Sequence, residues 1–200
     1  LEVDAEHITF DGESIYALED GKEMTLADFA NRCFAGGRGE CLIASASHCS
    51  PTSPPPFMAG IAEVDVDKLT GEITMVDYVA VVDCGTIINP NLARIQTEGG
   101  IAQGIGMALY EDITYSPKGR MRNSSFLQYR IPTRQDVGEI RVDFESSYED
   151  NGPFGAKSIG EVVINTPAPA IASAVAHASG VQVRTLPITA EKVLLNKDED

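Results

Sequence analysis

Four glycines fall inside one predicted helix, and they restrict how this chain can pack. The segment NLARIQTEGGIAQGIGMALY, residues 91–110, has the apolar spacing of a helix and contains Gly99, Gly100, Gly104 and Gly106. Each glycine costs roughly 1 kcal/mol in a helix interior relative to alanine. So many glycines indicate that something packs closely against the helix backbone, which is either a neighbouring element of the fold or a bound ligand.

The segment before this helix predicts a long antiparallel hairpin over residues 58–85. Apolar and polar residues alternate on both sides of a turn at Thr70 and Gly71. The second strand becomes almost wholly apolar at YVAVV, which is typical of a strand buried on both faces. Asp83 ends that strand, where we expect it to cap the turn that leads to Asn89.

The remaining pattern predicts an α+β fold, with an antiparallel or mixed β-sheet and packed helices. A proline-rich segment, SPTSPPP, separates an N-terminal region of hairpin, helix and strand (1–53) from a compact C-terminal region (54–200). Further elements are expected as a hairpin at 8–17, a helix at 24–34 capped by Thr25, and strands at 40–48 and 139–147, with helices at 165–180 and 186–195.

Composition excludes some functions. The net charge of −15 over 200 residues argues against nucleic acid and against an anionic membrane surface. No apolar run is long enough for a transmembrane helix. The start, LEVDAEHITF, lacks both an initiator Met and the features of a signal peptide, so we expect a fragment or a processed piece.

The four cysteines, Cys33, Cys41, Cys49 and Cys84, form no C-x-x-C motif. We interpret them as reduced structural thiols of a cytoplasmic protein, with a metal or iron–sulfur cluster as the weaker alternative.

Three polar residues are candidates for chemistry. Glu161 ends the glycine-rich stretch GPFGAKSIGEVV, and the apolar run after it predicts a dry surrounding that suits a catalytic base. Spacing alone nevertheless favours an ordinary turn glutamate. Gln103 lies among the helix glycines, where it either serves a ligand rich in heteroatoms or, more commonly, joins two backbone segments. Lys157 could pair with Glu161 or with an anion, although an exposed lysine is the default.

Four stretches, taken in order, resemble the C-terminal part of the cofactor-binding subunit of the molybdenum hydroxylases, the family of xanthine dehydrogenases and aldehyde oxidases. They are AEVDVDKLTGEITMVDYVAVVDCGTIINP, QTEGGIAQGIGMALYED, FLQYRIPT, and GAKSIGE followed by PAIASAVAHASGVQVRTLPITAEKV. Each stretch alone is a modest signal, whereas the ordered set is specific.

The resemblance implies roles for individual residues. Glu161 corresponds to the general base of the family's glycine motif, and the glycine turn would aim it at the metal. Ser158 replaces the glycine that is usual in that turn, so its side chain either contacts the cofactor or only tightens the loop. Contacts to the pterin cofactor are expected from Gln103, Gly104, Lys157, Ser158 and Gly160.

The resemblance also implies a function. The expected reaction is hydroxylation of an electron-poor carbon of a purine, an N-heterocycle or an aldehyde, with water as the oxygen source. The expected cofactor is molybdenum–molybdopterin, in a dinucleotide form, with 2Fe-2S and FAD on other domains or subunits. Since only about half of the cofactor subunit is matched, its other half is an expected partner. We therefore expect this chain alone to bind no metal and to be inactive.

Two alternatives stay open. The first is a non-catalytic assembly or scaffold chain that keeps the fold without metal, and retention of Glu161 and Gln103 argues against it. The second is a carboxylate-based hydrolase, which lacks a convincing second carboxylate.

Overall fold

The structure is a computed structural model, and it describes residues 3–35, 43, 45–47 and 49–195. Two compact units make it up, Leu1–Cys49 and Ser50–Asp200. The domain boundary expected from the proline-rich segment, after residue 53, stays a prediction. The strand expected at 40–48 falls mostly outside the described residues, and Cys41 lies outside them entirely.

In the first unit, the described residues form a three-stranded antiparallel sheet and one α-helix. After a short 3₁₀ turn at Ala5–His7, the elements are β1 (Ile8–Phe10), β2 (Ser14–Ala17), β3 (Glu23–Thr25) and α1 (Leu26–Ala35). The predicted hairpin is confirmed, since the Asp11 carboxylate accepts the N–H groups of Glu13 and Ser14 and closes the turn. The predicted cap is also confirmed, because the Thr25 hydroxyl accepts the N–H of Asp28 at 3.1 Å.

The second unit is built on a mixed three-stranded sheet. Its strands are β4 (Phe57–Val66), β5 (Ile73–Asp83) and β6 (Glu139–Glu145), with β5 in the centre. β5 runs antiparallel to β4, as the hairpin pattern predicts, and parallel to β6. The carboxyl ends of β5 and β6 therefore lie side by side.

Burial of β5 on both faces was a wrong expectation. Tyr78, Ala80 and Val82 are buried, whereas Val81, on the opposite face, is 43% exposed. The helices of this unit cover one face of the sheet. An apolar run indicates that a strand can be buried. The strand is buried on both faces only where other elements pack against each face of the sheet.

Among the described residues of the second unit there are four α-helices: α2 (Pro90–Leu109), α3 (Val162–Asn165), α4 (Pro167–Ser179) and α5 (Ala190–Leu195). The three longer ones match the predicted helices. The Asn89 side chain caps α2 by accepting the N–H of Leu92 at 3.1 Å, and Gly180, with φ of 80°, ends α4 in the left-handed conformation that favours glycine. The single turn α3 was not predicted.

The core lies between the sheet and helices α2 and α4. Tyr78, Ile101, Ile105, Ile171 and Val175 are its largest fully buried side chains. The Tyr78 hydroxyl donates to Thr166 Oγ1 at 2.9 Å, so the buried phenol keeps a hydrogen bond. This packing fixes the helices on the sheet and therefore fixes where α3 begins.

The glycines of α2 permit close packing of helices. A Cβ added at Gly100 would overlap the Val163 side chain, and one added at Gly104 would lie 2.7 Å from Cγ of Pro167. At Gly106, a Cβ would lie 3.1 Å from Pro132. These three glycines therefore support the packing interpretation. At the fourth, the exposed Gly99, a Cβ would meet nothing within 4 Å.

We expect Gly100→Ala to destabilise the cofactor-free protein by about 1–3 kcal/mol, because the added methyl group forces α2 away from α3. The matched control is Gly99→Ala, one residue away, which should be neutral or stabilise by up to about 1 kcal/mol through helix propensity. Urea unfolding of the two variants measures the difference. Equal stability of the two variants would contradict the close contact.

Candidate functional site

The glycine-rich turn before α3 is held against the carboxyl end of β5. The N–H of Thr86 donates to the Gly155 carbonyl at 2.8 Å, and the N–H of Lys157 donates to the Cys84 carbonyl at 2.7 Å. Gly85 has φ of 69°, and a Cβ there would collide with the Gly155 carbonyl. A glycine at this position is thus required both by the backbone conformation and by the close approach of the two chain segments.

Asp83, Ser147 and Lys157 form a hydrogen-bonded group at this end of the sheet, which we call the Asp83 cluster. Lys157 Nζ donates to Asp83 Oδ2 at 2.6 Å, and Ser147 Oγ donates to Asp83 Oδ1 at 2.5 Å. The N–H of Gly85 also donates to Oδ1, at 3.0 Å, which confirms Asp83 as a turn cap. The side chains of Lys157 and Asp83 are only 8% and 21% exposed.

This arrangement corrects two expectations for Lys157. Its side chain is not exposed, and its ionic partner is Asp83, not Glu161. The ammonium group also lies 5.3 Å from the centre of the Phe57 ring. With its backbone N–H and its ammonium group both engaged by protein groups, Lys157 holds the turn in place.

The charges of the cluster compensate one another. Hydrogen bonds from Lys157 and then from Ser147 lower the pKa of Asp83 to about 2, so its carboxylate is ionised at neutral pH. Burial raises the pKa of the neighbouring Cys84 thiol, which keeps it protonated. Cys33 and Cys84 are free, which agrees with structural thiols at these two positions.

Glu161 lies at the start of α3 and is exposed. The expected dry surrounding is therefore wrong for this side chain, because it is Val163, two residues later, that is buried against Gly100. Within the described residues, the Glu161 carboxylate makes no hydrogen bond or ion pair. It is thus open to a group that this chain does not supply.

Gln103 is exposed on α2 and borders a cavity of about 370 Å³ that Ile131, Pro132 and Arg134 also line. In the part of the chain that the structure describes, its amide makes no hydrogen bond. The interpretation that sequence alone favours, a glutamine joining two backbone segments, is therefore wrong. The neighbouring Gly104 is buried beneath Pro167, and its part in a cofactor contact stays a prediction.

The remaining candidates lie beside a groove of about 750 Å³ between the first half of α2 and the glycine-rich turn. Leu92 and Ile95 line one side and Ile159 and Gly160 the other, while Ser158 is exposed nearby. The structure therefore brings Ser158, Gly160 and Glu161 together on one turn.

The contact between α2 and α3 relates Gln103 to that turn. Gly100 touches Val163, and Gln103 follows Gly100 by three residues, a rise of about 4.5 Å along the helix. Gln103 and the glycine-rich turn therefore lie on opposite sides of the contact between α2 and α3. Sequence reasoning missed Ser147, whose only signal was its position just beyond a strand parallel to β5.

Among the described residues, no group of three or more His, Cys, Asp or Glu side chains could hold a metal ion. Nor does any helix among them have the length and apolar character needed to cross a bilayer.

Comparison with known proteins gives consistent results. A family model described as the molybdopterin cofactor-binding domain matches residues 1–138. The chain is 36% identical over 176 residues to the probable hypoxanthine oxidase XdhD of Escherichia coli K12, covering 86% of this chain and 18% of that protein. It is 37% identical over 172 residues to the putative xanthine dehydrogenase molybdenum-binding subunit XdhA of the same strain, covering 85% and 23%.

The fold is also found in a solved structure. Quinoline 2-oxidoreductase from Pseudomonas putida 86 superimposes with a TM-score of 0.80 at 25% sequence identity, over 98% of this chain and 26% of that chain. The predicted α+β class is therefore confirmed. The chain spans about a fifth of the length of the curated relatives, less than the half that the resemblance implies.

The Asp83 cluster generates a prediction for acid stability. The pKa of Asp83 is about 2 in the folded state, against 3.8 for an unperturbed aspartate carboxyl group. The stabilisation is therefore complete above about pH 5 and is lost as the pH falls through about 2. Asp83→Asn should lower the free energy of unfolding by about 1–2 kcal/mol at pH 6 and by much less near pH 2. Urea unfolding across this range measures the difference.

The matched control is Asp65→Asn at an exposed position on β4. A difference between the parent protein and Asp83→Asn that is the same at pH 6 and near pH 2 would contradict the assigned ion pair.

Proposed function

The chain belongs to the molybdopterin cofactor-binding domain family, and on that premise we propose that it is part of the molybdenum-binding subunit of an enzyme like xanthine dehydrogenase or aldehyde oxidoreductase. The proposed reaction is hydroxylation of an electron-poor carbon of a purine, an N-heterocycle or an aldehyde, with oxygen from water. The observation that carries the proposal is the pair of exposed, unengaged polar side chains, Gln103 and Glu161, on either side of the α2–α3 contact.

The donor set fits a pterin. The Gln103 amide offers two N–H donors and an acceptor oxygen, which match the alternating donors and acceptors along a pterin edge. In the described residues, the N–H groups of Ser158, Ile159 and Gly160 have no backbone partner, so they can bind further acceptors of a cofactor.

Individual residues of this chain have different roles in the proposed reaction. When bound, the molybdenum cofactor supplies the two-electron oxidation. Gln103 orients the pterin through hydrogen bonds, and Glu161 accepts a proton at its carboxylate oxygen as water is activated for attack. Ser158 and Gly160 shape the turn beside the cofactor, and Lys157 contributes by holding that turn. The rest of the subunit covers the exposed side and excludes bulk water, so that only the reacting water reaches Glu161.

Further components belong to the proposal. We assign 2Fe-2S and FAD to other domains or subunits and propose a dinucleotide form of the cofactor, as in the resemblance. The free thiols of Cys33 and Cys84 suit a reducing cytoplasmic compartment. The competing scaffold function gives no reason for an unengaged amide and carboxylate on the same helix contact.

Glu161→Gln in the complete enzyme is expected to abolish turnover while leaving the fold and the cofactor in place. Glutamine keeps the shape but cannot accept a proton at neutral pH, and loss of a general base costs about two to four powers of ten in rate. The loss should fall on reduction of the enzyme by substrate, whereas reoxidation stays nearly unchanged. Rapid-mixing kinetics of both half-reactions measure this.

The control for this variant is Glu191→Gln, which changes an exposed glutamate on α5 in the same way. Reduction of the Glu161 variant within a few-fold of the parent rate would show that Glu161 is not the base.

Gln103→Ala should lower cofactor occupancy more than turnover per bound molybdenum, since its contact positions the pterin and transfers no proton. One such hydrogen bond is worth about 1 kcal/mol, or roughly a five-fold loss of affinity. Metal analysis and turnover are measured separately, with Gln135→Ala, an exposed loop position, as the control. Full occupancy with a large loss of turnover would instead assign Gln103 to the chemistry.

A further inference from the structure

We propose that the Asp83 cluster is a positioning device that fixes the turn carrying Glu161. The effect on the turn can be tested in the cofactor-free protein. Only its catalytic consequence depends on the function proposed above, in which Glu161 is the base.

The cluster joins three chain segments at one point. Asp83 ends β5, Ser147 lies two residues beyond the end of the parallel strand β6, and Lys157 lies in the glycine-rich turn. Both carboxylate oxygens of Asp83 accept hydrogen bonds, one from Lys157 and the other from Ser147 and the backbone N–H of Gly85. The turn is therefore tied to the ends of two neighbouring strands of the sheet.

Lys157 is one of two anchors on the path to Glu161. Its backbone N–H is bonded to the Cys84 carbonyl, and its ammonium group to Asp83. The second anchor is Val163, which is buried against Gly100. Between the anchors, Ser158 and Gly160 are exposed and take no part in backbone hydrogen bonding among the described residues.

This geometry makes the position of Glu161 sensitive to the first anchor. A segment that is fixed at both ends has few conformations, whereas release of one end leaves its central residues free to move. Gly160 precedes Glu161 directly and offers little resistance to such motion. Loss of the Asp83–Lys157 pair should thus displace the carboxylate while leaving the strands and helices in place.

A general contribution to stability is the competing explanation, and the chain contains a matched control for it. Asp77, on the same strand, forms an ion pair with Arg141 of β6. It lies six residues before Asp83, about 20 Å along the strand, and has no contact with the turn. Asp77→Asn should therefore weaken the β5–β6 pairing without releasing Lys157.

The first experiment is hydrogen exchange on the cofactor-free protein, followed at the N–H groups of Thr86 and Lys157, which bond across the two segments. In Asp83→Asn we expect exchange at both groups to accelerate at least ten-fold, while in Asp77→Asn it stays within two-fold of the parent. Unchanged protection in Asp83→Asn would overturn the proposal. So would equal acceleration in the two variants.

Substitutions at the other members keep the test decisive if Asp83→Asn does not fold. Ser147→Ala removes one hydrogen bond and leaves the ion pair, so it should accelerate exchange by a smaller factor. Lys157→Arg keeps a cation and donors, and it should retain more protection than Lys157→Met. Equal protection in the Arg and Met variants would overturn the role of the ion pair.

The second experiment uses the complete enzyme. Displacement of the base should lower kcat at least ten-fold in Asp83→Asn with KM within about three-fold of the parent, and Lys157→Arg should recover activity that Lys157→Met loses. Asp77→Asn should change neither constant by more than about two-fold. If Asp77→Asn lowers kcat as much as Asp83→Asn, the cluster is merely stabilising.

The two proposals fail in different ways. If Glu161→Gln retains turnover, the proposed base is wrong, while hydrogen exchange still decides whether the cluster holds the turn. If Glu161→Gln is inactive but exchange is unchanged in Asp83→Asn, the positioning role alone is wrong.

Discussion

The close approach of α2 to α3 and α4 is the constraint on which the rest of the second unit depends. Gly100 and Gly104 bring the helix backbone against Val163 and Pro167. Glycine at these two positions has a low helix propensity, which destabilises α2. Burial of apolar side chains around Ile101 and Ile105 offsets that loss. Because α3 rests directly on α2, the start of α3, where Glu161 lies, has a defined position relative to Gln103.

The ion pair between Lys157 and Asp83 holds the glycine-rich turn, on the other side of the candidate site. A lysine at the margin of a proposed cofactor site invites interpretation as an anion ligand, yet the Lys157 ammonium is almost fully buried and neutralised by Asp83. Lys157 thus stabilises the local structure at the end of the sheet. The groups that remain for a ligand on the glycine-rich turn are backbone N–H groups and the Glu161 carboxylate. The Gln103 amide lines a separate cavity together with Arg134.

Local patterns predicted the elements whose signals are local. The hairpin of β4 and β5 follows from its alternation, α2 follows from helical spacing, and α4 follows from helical spacing with Gly180 at its end. What escaped prediction depends on contacts between distant segments. The partner of Lys157 is 74 positions away, and the open face of Val81 depends on which side of the sheet the helices cover.

In the candidate site, too, local sequence identified some features, whereas others depend on contacts between distant segments. Motif order identified Glu161 and Gln103, but their exposure and lack of partners could be learned only from the fold. Ser147 has no motif of its own, because its contact with Asp83 arises from the parallel pairing of β5 and β6. Positioning residues of this kind cannot be identified from the residues next to them in the sequence.

The three-stranded sheet has one further consequence. β4 and β6 form its two edges within the part of the chain that the structure describes. β6 carries a charge at every second residue, which discourages pairing with another chain, whereas Phe57–Val66 presents six apolar or glycine residues before its first charge. No strand among the described residues pairs with the free edge of β4, so that edge can accept an added strand when nothing covers it. Separated from whatever covers it, this chain would be prone to edge-to-edge aggregation through β4, despite a net charge that favours solubility.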